Sequence, residues 1–111
     1  MSNFYELTID QGSTFSMRVE LKDYFTNDSL NLANYVARSQ IRKNYDSTES
    51  KDFVVVIADA ANGNISMSMS AANTANLKPG RYVYYLEIED EENTITRILQ
   101  GVAIVSPQVT R

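Results

Sequence analysis

A chain of 111 residues, 43% hydrophobic and 22% charged, is one globular domain (residues 1–111) with enough apolar side chains for a core of its own. Its net charge of −4 argues against nucleic acid or an anionic membrane as partner, because phosphate binding is built on an excess of Lys and Arg. His and Cys are both absent, which removes the usual general base, thiolate chemistry and soft-metal ligation, so no cofactor, metal or small-molecule substrate is expected and the chain is not read as an enzyme.

The opening MSNFYELTID has neither a basic n-region nor an apolar h-region, so no signal peptide is expected, and no apolar run approaches the length of a membrane span. FYELTID (4–10) reads as a short strand that stops at Gln11-Gly12. STFSMRVELKD then alternates, with Phe15, Met17, Val19 and Leu21 on one face and Thr14, Ser16, Arg18 and Glu20 on the other, which is a half-buried strand. In 24–35, Asn27-Asp28-Ser29 is turn chemistry, and Leu30 and Leu32 cross an edge of the core. YVARSQIRKN is the next strand, with Tyr35, Ala37, Ser39 and Ile41 inward and Arg38, Gln40 and Arg42 outward. YDSTESKD (45–52) is polar and reads as a mobile loop.

FVVVIAD (53–59) is rich in β-branched residues and apolar on both faces, which places it at the centre of a sheet. Asn62-Gly63 is a hairpin signal. ISMSMS returns with Ile65, Met67 and Met69 inward. AANTANL (71–77) is a helix of two turns at most, with Ser70 as its N-cap. RYVYYLEIED alternates, with Tyr82, Tyr84, Leu86 and Ile88 inward and Tyr85 outward; EEN turns the chain, and TITRILQGVAIV is the last long strand. Gly101 in its middle marks a bulge or a switch of face, and Pro107 takes the chain out of the ladder.

About seven short strands, one helix and turn signals every ten residues or so describe an all-β, antiparallel, immunoglobulin-like sandwich. Its marker is the stretch LKPGRY. In such sandwiches a tyrosine near the start of a late strand bonds back to backbone upstream, and Leu77, Pro79, Gly80 and Tyr82 fit that tyrosine corner, with Pro79 and Gly80 setting the turn.

The acidic EIEDEEN (87–93) resembles a hard-cation site in composition, but its spacing is not that of a calcium loop, and a solvated hairpin tip explains it better. RSQIRK (38–43) is read as a solvent face pairing with neighbouring acidic strands, or as a contact to an acidic partner protein. Phe4, Tyr5, Tyr24 and Phe25 are the aromatics that alternation leaves unexplained.

Four ordered pieces carry a wider likeness: LTIDQGSTFSMRVELKD, NLANYVARSQIRKNYDST, ANGNISMSMSAANTANLKPGRYVYYLEIED and TRILQGVAIVSPQVTR. Together they resemble a family of small immunoglobulin-like virion proteins of tailed bacteriophages, in which I-x-Q-G precedes the first long strand and G-x-Y-x-Y-x-L-E follows a short helix. The resemblance covers nearly the whole chain. It implies a structural, non-enzymatic part of the virion, in the tail, baseplate or neck, made in the host cytoplasm, whose partners are other virion proteins and copies of itself. A capsid decoration protein and a carbohydrate-binding or host-adhesion module are the alternatives. Aromatic and Arg anchors dominate such contacts, so the interface candidates are Tyr5, Tyr24, Phe25, Arg38, Arg42 and Tyr85.

Overall fold

The computed structural model describes residues 3–22, 26, 28–44 and 50–107. Two sheets face each other. The larger runs β1 (Asn3–Phe4), β9 (Ile95–Ser106), β8 (Gly80–Glu89), β4 (Val36–Arg42), β5 (Ser50–Asp52), with β2 (Leu7–Asp10) also on the free edge of β9. The smaller is β3 (Phe15–Glu20), β7 (Asn64–Met69), β6 (Val54–Asp59). The pairs are antiparallel except along β9, where β1 and β2 run parallel to it. The arrangement is an all-β sandwich. Among the described residues, no helix is long and apolar enough to cross a membrane.

Period-two patterning sets the layers. Ile65, Met67 and Met69 from β7 meet Tyr84, Leu86, Ile88 and Ile41 from β8 and β4, all at most 4% exposed. Leu21 and Leu32 close one end of the core with Ile65 and Ile88. At the other end the rings of Phe15 and Phe53 tilt against each other, 5.6 Å between centroids. The two core methionines of β7 fill space that branched side chains would leave irregular.

Four expectations need correction. The segment 4–10 is one strand interrupted at Tyr5-Glu6, since Phe4 pairs with Gln100 and Leu7 with Ala103, three residues apart on both sides. Gly101 lies beneath the interruption and is neither bulge nor switch. A Cβ there would sit 2.4 Å from the Tyr5 carbonyl oxygen, so the glycine admits a crossing backbone; the bulge in β9 comes earlier, where Leu86 pairs with Leu99 but Glu87 with Arg97. Of the segment read as a loop, 45–49 lies outside the described residues, and Ser50–Asp52 pairs with β4 as an edge strand, whose exposure explains its polarity. Finally, β6 is an edge strand and not a central one. Val54 and Val56 are more than half exposed, so the β-branched run reflects strand preference and not burial on both faces.

The β6–β7 hairpin turns through a single 3₁₀ turn, Ala60–Asn62, with Gly63 left-handed at φ 68°. Gly63 is buried where the Leu21 and Leu30 carbonyls crowd it: a Cβ would meet them at 2.5 and 2.8 Å. The short helix α1 (Ala71–Ala75) is capped by Ser70 Oγ, which accepts from the Asn73 amide.

Candidate interaction surface

Two constructions hold the chain in shape for any contact it makes. In the first, Tyr82 is half-buried and its Oη donates to the Lys78 carbonyl at 2.7 Å, across the turn at Pro79-Gly80, while Leu77 is buried below and Lys43 Nζ lies 4.8 Å above the ring. The second latches α1 to the turn after β2. Thr74, fully buried, accepts from the Gly12 amide at 3.1 Å, and its hydroxyl lies 2.8 Å from the Ser13 carbonyl; Gln11 Nε2 donates to the Leu77 carbonyl at 2.9 Å. The Gln-Gly pair noted in the sequence thus ties the first strand to the corner. Thr74 carried no sequence signal of this, because the contact joins residues 62 apart.

The outer face of the larger sheet collects three of the six candidates, Arg38, Arg42 and Tyr85. One row crosses five strands: Asp52, Gln40, Tyr85, Gln100 and Phe4 are successive register partners. Gln40 Nε2 donates to Asp52 Oδ1, and Tyr85 Oη donates to Gln40 Oε1, both at 2.9 Å. Arg42 Nη2 donates to the same Gln40 oxygen. The Arg97 guanidinium lies 5.1 Å above the Tyr85 ring. In the next row Arg38 bridges two carboxylates, Nε to Glu87 at 2.7 Å and Nη1 to Glu89 at 2.9 Å, and these bonds raise its pKa further. Three of the five carboxylates of the acidic stretch are thereby accounted for: Glu87 and Glu89 bind Arg38, and Asp90 Oδ1 accepts from the amides of Glu92 and Thr94. Among the described residues no group of three carboxylates converges on a metal-sized space.

Gln40, Arg42, Val83, Tyr84, Tyr85 and Arg97 line a groove of about 270 Å³ on this face. Elsewhere on this sheet Phe4 (69% exposed), at the end of the Tyr85 row, and Val36 and Ile95, the register partners of Glu89 farther along, stand out into solvent. Tyr5, half exposed, holds the sheet edge: its amide donates to the Gln100 carbonyl, and its own carbonyl accepts from the buried Tyr84 Oη at 2.6 Å. Burial, with a smaller contribution from Tyr5, pushes the Tyr84 pKa up to about 12. Tyr24 and Phe25 lie outside the described residues. Phe4 stands out in the sequence as an aromatic that alternation leaves unexplained and Gln40 as part of the RSQIRK face, but Arg97 carries no signal there; only the strand register brings the three together around Tyr85.

No protein-family model and no curated protein sequence matches the chain. Among solved structures, the N-terminal domain of phage TP901-1 ORF48 superposes with a TM-score of 0.55 over 92% of this chain and 85% of that one, at 16% identity. An internalin-like protein of Listeria monocytogenes matches at a TM-score of 0.47 and 17% identity, over 93% of this chain and 27% of that one. At such identities the likeness is one of fold.

Proposed function

We propose that the chain is a non-enzymatic structural protein of a tailed-phage particle, an assembly module of the tail, baseplate or neck that holds neighbouring subunits through the outer face of its larger sheet. The observation that carries this reading is the near full-length likeness, in both directions, to a domain of a phage protein. The ordered sequence motifs support it, as does the concentration of Arg, Tyr and exposed apolar side chains on one sheet face, the composition of interface cores. A chain without His or Cys has no ready acid–base or thiolate centre, and the reading assigns it none. A glycan-binding module is the weaker alternative, because Tyr85 carries the Arg97 guanidinium over its ring where a sugar would stack.

Mass spectrometry of purified particles, followed by location of the chain in a particle reconstruction, tests the proposal. Recovery at fixed stoichiometry in intact particles is expected; recovery from the lysate alone, never in particles, overturns it.

A further inference from the structure

Arg97, on the wall of the groove around Tyr85, pairs with no carboxylate among the described residues. Among the described residues the lining is Gln40, Arg42, Val83, Tyr84, Tyr85 and Arg97, without Asp or Glu. Arg97 faces Glu87 across the β8–β9 ladder, yet Glu87 gives its Oε1 to Arg38. Arg97 is left with a ring face and a 3.3 Å bond to the Gln100 amide oxygen. At about 270 Å³ the groove is below the range of roughly 300–1,000 Å³ typical of small-molecule sites, and so is of a size for one or two side chains of a partner.

The tip of the same hairpin carries the opposite charge. Asp90 is held by the backbone of its own turn, with Asn93 left-handed at φ 64°. That leaves Glu91 and Glu92 exposed, neither in an ion pair with a described residue. A molecule cannot fill its own groove: Tyr85 lies five residues before Asp90 on an extended strand, about 16 Å at 3.3 Å per residue. A two-fold axis through the groove is disfavoured as well, since it would set guanidinium against guanidinium. We infer that the Glu91-Glu92 tip of one copy docks in the Arg97–Tyr85–Gln40 groove of a second copy. The inference deepens the assembly reading above and rests on it for its setting only. The copies carry like net charge and the ion pairs are solvent-exposed, so each contact is weak and salt-sensitive.

Sedimentation velocity of the full chain over rising concentration, at low ionic strength and again near 0.5 M salt, tests it. The weight-average mass is expected to rise at low salt and return to monomer at high salt. Arg97→Glu alone, and Glu91→Arg with Glu92→Arg, should each weaken association about tenfold or more, and the three changes combined should restore it. Circular dichroism melting establishes that each variant folds. A wild-type chain monomeric throughout overturns the contact; so does association indifferent to the reversals, or a folded triple variant that stays apart. Absence from purified particles would defeat the virion reading and leave these results standing.

Discussion

Replacing Gly101 by Ala should loosen the first strand, by an amount that depends on the hydroxyl of Tyr84. The new Cβ would lie 2.4 Å from the Tyr5 oxygen and 3.1 Å from its carbonyl carbon and amide nitrogen, all backbone atoms with little freedom to yield. The Tyr5 segment must lift. Its amide then loses the 3.0 Å bond to Gln100, and the buried Tyr84 hydroxyl loses its acceptor. One backbone bond is worth about 1 kcal/mol and a stranded buried hydroxyl about 1–3 kcal/mol, so the substitution should destabilise by about 3 kcal/mol, or roughly 10–15 °C in Tm. Tyr84→Phe alone should destabilise by about 1 kcal/mol. In the Tyr84→Phe background no hydroxyl remains to be stranded, so the double variant should fall short of the sum by about 1–2 kcal/mol. Urea unfolding of the four proteins closes the cycle. Full additivity, or a Gly101→Ala chain as stable as wild type, refutes the clasp.

Alkali tests the same hydroxyl. Tyr84 holds its proton to about pH 12 when folded and only to about 10 when unfolded, so its contribution is complete below pH 10 and is lost as pH rises towards 12, by up to about 2–3 kcal/mol. Urea midpoints measured between about pH 9 and about pH 11.5 should decline less steeply for Tyr84→Phe than for the wild-type chain. Tyr82→Phe removes the bond to the Lys78 carbonyl; because that carbonyl is at the surface and water can replace the hydroxyl, the loss should be about 1 kcal/mol by the same assay. Thr74→Val keeps the shape but leaves the Gly12 amide and Ser13 carbonyl without their partner, and should destabilise by about 2 kcal/mol, with earlier hydrogen exchange at residues 11–13.

Local periodicity made much of the fold legible. The alternation of Phe15 to Leu21, the Ile65-Met67-Met69 series and the Tyr82-to-Ile88 face each identify a strand and its inward side, and Ser70 announces the helix it caps. Where the reading failed, the deciding contact is far away in sequence. Gly101 is a glycine because of Tyr5, 96 residues earlier, and nothing in LQGVAI says so. Val54 and Val56 look like interior residues until the sheet order puts β6 at an edge. Ser50–Asp52 is polar because both its faces meet water, and a polar edge strand has the composition of a loop. The surface was harder still. Arg38, Arg42 and Tyr85 could be picked out by residue type, but that Glu87 serves Arg38 and leaves Arg97 to stack on Tyr85 follows from register and side-chain reach, which composition does not encode.

The parallel pairing of β2 with β9 has a mechanical meaning. Leu7 enters that pair beside Ala103 and Asp10 leaves it beside Ser106, so tension applied ahead of Leu7 and beyond Ser106 pulls the two strands in opposite directions along their length. The ladder is loaded in shear, and its hydrogen bonds must yield together instead of unzipping singly. A chain held by these two points would resist stretching at the seam where β2 and β9 meet.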